Sequence, residues 1–232
     1  MPAARPFTTP RKGRGSVAPA ADRITHSARL KKQWEAIWAK AKEQDATSSA
    51  VAQPVRGGLY VEYEGVPGYD LLTKPLESIS HGIRLLNVYK VPAPDDPKVE
   101  TTRATVFIPT GRQDIFLKKL DAYANPEEDT PTYKPKNQPL MQSIRNIRNA
   151  MLESLWTDES DLMPEDDAAV WCEIWLSSDT PEVEQRFRET AASIGVETQS
   201  RILRFPERSV LLGFATKRHL SQSINHKLHI LR

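Results

Sequence analysis

The chain has 232 residues, enough for one large domain or two small ones, of which 39% are hydrophobic and 27% charged. Its 32 basic and 30 acidic residues leave a formal net charge of +2, so no global field draws it to nucleic acid. The sequence contains no run of about 20 apolar residues that could span a membrane, its N-terminus has no apolar signal core, and the single cysteine, Cys172, excludes an internal disulfide framework, so a cytoplasmic protein without a membrane partner is expected.

Residues 1–22 are rich in Pro, Gly, Ala and Arg, with Arg11, Lys12 and Arg14 flanked by glycines. Such a segment buries too little apolar area to offset its chain entropy and reads as a disordered basic arm. A helix is expected from Asp22, its cap, carrying Ile24, Leu30, Trp34, Ile37 and Trp38 at helical spacings. Trp34 and Trp38 share a face and dock this helix on the body. Residues 23–57 thus comprise helix and linker, the linker being "EQDATSSAVAQPVRGG".

The first α+β subdomain, 58–125, opens with the alternating strand "GLYVEYEGV", Leu59, Val61 and Tyr63 on one face and Tyr60, Glu62 and Glu64 on the other. A helix ending at the C-cap Gly82 is expected next, either capped by Asp70 and kinked at Pro75 or starting near Pro75. "IRLLNVYKV" and "TRATVFIPT" follow as strands, then a helix over "GRQDIFLKKLDAY". Residues 126–168 read as a polar loop, one strong helix over "LMQSIRNIRNAMLESLWTD", and the acidic connection "ESDLMPEDD".

Residues 169–232 give the cleaner pattern. "AVWCEIWLS" is a strand, with Val170, Cys172, Ile174 and Leu176 facing one way and Trp171, Glu173 and Trp175 the other. A helix from Thr180 to Gly195 has Pro181 at its first position and the apolar stripe Val183, Phe187, Ala191 and Ile194. "ETQSRILRF" and "ERSVLLGFA" are strands joined at Pro206-Glu207; a helix capped by Thr216 and a last strand, "KLHILR", complete the order βαββαβ. The fold class expected is therefore α+β: a ferredoxin-like C-terminal unit, preceded by a second, degenerate α+β unit and an N-terminal helix. Both faces of the strand holding Trp171 and Trp175 are apolar, and an apolar outer sheet face calls for a partner.

Candidate chemistry is sparse. His81-Gly82 has the dipeptide that carries the general base of subtilisin-like proteases, yet the chain has no matching aspartate motif or nucleophilic Gly-Thr-Ser turn, and a helix end accounts for the pair. Cys172 lies mid-strand, as a small core side chain does. His219, His226 and His229 lack convergent ligand spacing, and the carboxylates of "ESDLMPEDD" do not match a calcium loop, so no metal and no cofactor are expected.

The blocks "PFTTPRKGRG", "GLYVEYEGVPGYDLLTKPLES", "GIRLLNV", "ATVFIPTGRQDIFLKKLDAY", "PKNQPLMQSIRNIRNAMLESLWTD" and "RFPERSVLLGFAT" cover nearly the whole chain. In order and spacing they resemble the N-terminal region of bacterial subtilisin-like serine peptidases of the kind encoded beside an AAA-type ATPase. The resemblance implies a non-catalytic regulatory or prodomain region, with the catalytic domain expected after Arg232. It implies a subtilisin-like protease domain as partner in cis or trans, which the chain would inhibit, help to fold or sense. The alternative is a stand-alone module docking a partner such as the ATPase. The C-terminal unit resembles a subtilase propeptide, in which the sheet packs on the protease and the tail enters its cleft. The contact residues implied are Trp171, Trp175, His229, Ile230, Leu231 and Arg232.

Overall fold

A computed structural model describes residues 18–19, 22–47, 57–176, 180–206 and 208–225. The basic cluster Arg11, Lys12 and Arg14 and the expected last strand over 227–232 lie outside them. The chain is α+β, with two antiparallel sheets.

The first helix, α1 (Arg23–Thr47), is capped as expected, the Asp22 carboxylate accepting from the Thr25 amide at 2.9 Å. It extends further than the sequence suggests, taking in the start of the expected linker; the remainder, 48–56, is outside the described residues. Four strands follow: β1 (Gly58–Gly65), β2 (Arg84–Pro92), β3 (Glu100–Pro109) and β4 (Ile144–Asn149). They form one sheet in the order β2-β3-β1-β4. Helix α2 (Asp114–Ala124) and the short α3 (Gln138–Ser143) lie between β3 and β4. Leu30, Trp34 and Ile37 of α1 join Phe116, Leu120 and Tyr123 of α2 over Val61, Tyr63, Val106 and Ile147, forming the first core.

Two expected helices are corrected. The stretch from Asp70 to Gly82 forms only two single 3-10 turns, Lys74–Leu76 and Ile79–His81. Pro75 supplies no amide donor and restricts the residue before it. The apolar positions also fail to form a stripe, since Leu71 and Leu76 are buried while Leu72 and Ile79 are exposed. The single helix expected over 140–155 breaks into α3, β4 and the one-turn α4 (Leu152–Leu155). Pairing with β1 wins over helical spacing there, because β1 would otherwise leave an edge unpaired, and it sets Arg148 opposite Glu62 and Asn146 opposite Glu64.

That pairing completes a buried polar network on the sheet face opposite α1. The Glu62 side chain is fully buried. Its Oε1 accepts from Arg148 Nε at 2.6 Å and lies 3.7 Å from Arg103 Nε. Its Oε2 accepts from the Tyr89 hydroxyl at 2.6 Å and from the Ser154 hydroxyl of α4. Burial, reinforced by the Glu62 carboxylate, pushes the Tyr89 phenol up to about 12, so it remains a donor at neutral pH. Glu64 accepts from Arg103 at 3.1 Å and Asn146 at 3.0 Å. The Ser154 carbonyl in turn takes the Thr105 hydroxyl at 2.9 Å and the Asn87 amide at 3.2 Å. Four strands and α4 therefore meet at one carboxylate.

Among the described residues β4 is an edge strand, and α1 partly covers its outer side. His26 donates to the Ile144 carbonyl at 2.9 Å, Arg29 to the Arg145 carbonyl at 2.6 Å, and Gln33 accepts from the Ile147 amide at 3.0 Å. Three side chains near one helical face thus stand in for a neighbouring strand.

The second sheet contains β5 (Val170–Leu176), β6 (Glu197–Phe205) and β7 (Arg208–Ala215), in the order β5-β7-β6 among the described residues. Helices α5 (Pro181–Ser193) and α6 (Lys217–Asn225) flank it as expected, Gly195 ending α5 with φ 84° and the Thr216 hydroxyl accepting from the His219 amide at 3.2 Å. Both sheets place their first, third and second strands side by side, so the two units repeat one pattern. Tyr60, Phe107, Leu152 and Leu155 of the first unit share a core with Cys172, Ile174, Phe187, Ala191 and Leu220 of the second.

Replacing Glu62 by Ala takes the acceptor from Arg148 and from the Tyr89 and Ser154 hydroxyls, and is expected to cost about 3–5 kcal/mol in urea unfolding. An unchanged midpoint would show the network to be dispensable.

His26 gives a pH-dependent contribution. A carbonyl only accepts, so Nε2 carries the proton, and the buried Nδ1 has no hydrogen-bond partner among the described residues. Burial pulls the imidazole pKa down, partly offset by the Ile144 carbonyl and aided by Arg29. The folded state thus binds the proton less well than the unfolded chain, whose histidine titrates near about 6.5. This stabilisation is complete above that value and is lost as pH falls through it towards the lower folded value. Urea midpoints between about pH 8 and pH 5 should show the loss, and His26→Gln, which keeps a donor for Ile144, should flatten it.

Candidate protein-binding face

The alternation of β5 sends Cys172, Ile174 and Leu176 inward, onto Phe187 and Ala191 of α5 and Leu220 of α6. Gly213 permits this approach, since a Cβ there would meet the Ile174 Cδ1 at 2.5 Å. The register then decides the outer face. Trp171 lies opposite Phe214, Glu173 opposite Leu212, and Trp175 opposite Val210, which also faces Leu203.

Two aromatic pairs result. Trp171 and Phe214 have ring centroids 5.2 Å apart, and Trp175 stacks on Phe205 at 6.1 Å with planes 5° apart. The second pair reaches across β7 and buries Val210. The indole N–H of Trp175 donates to Glu173 at 3.2 Å, which satisfies its polar edge. Trp171 is 46% exposed, Phe205 47%, Leu203 65% and Phe214 36%. These side chains adjoin one another on a single sheet face, unlike apolar residues scattered singly over a surface. The face continues past Trp171 into a trough of about 510 Å³ beside β5, lined by Trp156, Asp158, Leu162 and Val170.

Of the contact residues expected from sequence, Trp171 and Trp175 lie on this face, and His229, Ile230, Leu231 and Arg232 lie outside the described residues. Leu203, Phe205 and Phe214 complete the face and were not singled out from sequence; counting alternate residues back from the hairpin at Pro206 would have found them. Among the described residues, the apolar side chains of the first unit meet the helix-covered side of the second.

The residues weighed for catalysis, His81 and Cys172, lie in a surface turn and in the core. His81 ends a 3-10 turn, with the Gly82 amide donating to the Ile79 carbonyl and Gly82 at φ 72°. Its Nδ1 lies 2.8 Å from the Ser78 hydroxyl and 3.2 Å from that of Ser80, both in the same exposed turn. Cys172 is buried, and burial, with Asp158 nearby, pushes its thiol pKa up, away from the reactive thiolate. Among the described residues, no three His, Cys, Asp or Glu side chains converge to hold a metal ion.

No protein-family model and no curated protein matches the chain.

His81→Ala should leave the urea unfolding free energy within about 0.5 kcal/mol of the parent, as for an exposed turn residue. A loss several times larger would give His81 a role beyond closing its turn.

Proposed function

We propose that this chain is a non-catalytic regulatory region of the prodomain type, whose C-terminal unit binds a subtilisin-like protease domain through the outer face of its sheet. The observation that carries this reading is the exposed aromatic face of Trp171, Phe214, Trp175 and Phe205, set directly behind a closed core. Aromatic side chains on such a surface commonly dominate binding energy. The order β5-β7-β6, with helices on the other side, is compatible with a ferredoxin-like unit. The blocks resembling the N-terminal regions of subtilisin-like peptidases are the reason for choosing a protease domain as the partner.

The chain itself offers an analogue of the docking. In the first unit the corresponding sheet face carries Tyr60 and Phe107, and these are buried against Leu152 and Leu155 of α4 in a core that includes Leu220 of α6. One sheet face of this repeated pattern is therefore occupied by helical elements, and its counterpart faces outward. A protease domain presenting helices to the second face would repeat the arrangement between two domains.

The test is titration calorimetry of the chain with a subtilisin-like protease domain of the group it resembles, alongside urea unfolding of each variant. Trp171→Ala and Phe214→Ala should each weaken binding at least tenfold, about 1.4 kcal/mol, with the unfolding midpoint retained. Loss of stability with affinity intact would end the proposal for this face. Binding of the neighbouring ATPase to it, with none of the protease domain, would favour the interaction-module reading. A fluorophosphonate probe should label no serine in the chain alone.

A further inference from the structure

A separate feature lies where the two units meet. A cleft of about 780 Å³ runs along the outer edge of β4, between α1 on one side and α4 and α6 on the other. We propose that this cleft accepts an extended peptide strand bearing acidic side chains, which adds to β4 as a further strand. The proposal is independent of the aromatic face.

Backbone direction carries the argument. The Ala150 amide donates to the Tyr60 carbonyl of β1, whereas the Ile147 amide donates away from β1, to Gln33 of α1. Successive residues of a strand direct their main-chain groups to opposite sides, so Asn149 directs its amide and carbonyl outward with those of Ile147. The substitution of α1 for a strand ends at Gln33: the Ile147 carbonyl and the Asn149 amide and carbonyl have no hydrogen-bond partner among the described residues. The Asn149 side-chain oxygen is also buried without one. Main-chain donors and acceptors together are what an added strand supplies.

The walls specify the occupant further. Ile37, Leu59 and the exposed Met151 give apolar contact, suited to alternate side chains of an extended peptide. The charged residues around the cleft are Lys40, Arg148 and Lys217 against the single carboxylate Glu153. Glu153 is held by Lys217 at 3.0 Å and Arg148 by the buried Glu62, leaving Lys40 as the cation without an ion pair among the described residues. An acidic side chain on the incoming strand complements this rim, and a basic one is repelled.

The experiment uses the full chain and two labelled heptapeptides, one alternating Val and Glu and the other Val and Lys, followed by fluorescence anisotropy. The Val/Glu peptide should bind saturably and at least tenfold tighter than the Val/Lys peptide. Asn149→Pro, which deletes the outward amide, and Lys40→Glu should each weaken it at least fivefold. Lys32→Glu, a charge reversal on the exposed side of α1 away from the cleft, should leave it within twofold. Urea unfolding of every variant guards against misfolding, and where Asn149→Pro fails to fold, Lys40→Glu decides. Equal binding of both peptides, absence of saturable binding, or indifference to Lys40→Glu would overturn the proposal. So would a slowly exchanging Asn149 amide in the free protein, which would show that the chain's own residues already pair there.

Discussion

The buried carboxylate of Glu62 is the constraint around which the chain is assembled. A carboxylate removed from water is tolerated only when its oxygens are filled, and Arg148, Tyr89 and Ser154 fill them from two strands and α4, with Arg103 of a third strand 3.7 Å away as a further counter-charge. Each donor arrives only if its element is in register: Arg148 requires β4 to pair with β1, and Ser154 requires α4 to turn back over the sheet. A one-residue slip of β4 would send Arg148 to the opposite face and leave the charge unpaired. The network thus secures specificity of register, and the nonpolar contacts of α4 with the second unit depend on it.

The two units use one strand arrangement to different ends. In the first, α1 and α2 close one sheet face and α4 lies over the other, so the sheet is buried on both sides. In the second, α5 and α6 close one face and the opposite face presents aromatic pairs to solvent. The position corresponding to α5 in the first unit holds only the 3-10 turns around Pro75, and α1, which precedes the unit, provides helical cover instead. The same helix also protects much of the β4 edge through His26, Arg29 and Gln33, one of the means by which sheet proteins limit unwanted strand addition.

Local pattern and tertiary demand agree in the second unit. Thr180, Pro181 and Gly195 mark the ends of α5, and strict alternation in β5 separates Trp171 and Trp175 from Cys172 and Ile174. In the first unit they conflict. Leu140, Ile144, Ile147, Met151 and Leu155 keep helical spacing, yet Ile144 to Asn149 form a strand. The free edge of β1 and the charge on Glu62 act at a sequence separation no local window contains.

By itself the sequence determined the α+β class, the helix of Trp34, and the opposite facing in β5 of Trp171 and Trp175 from Cys172, Ile174 and Leu176. Each follows from capping chemistry or from the periods of helix and strand, which are properties of neighbouring residues. The tertiary structure alone decided that "IRNIRN" is β4, that Glu62 is a buried hub, and that, among the described residues, α1 leaves part of the β4 edge uncovered. Those outcomes depend on which strands pair and in what register. Pairing is chosen by the summed cost of unpaired backbone and buried charge over residues far apart in the chain.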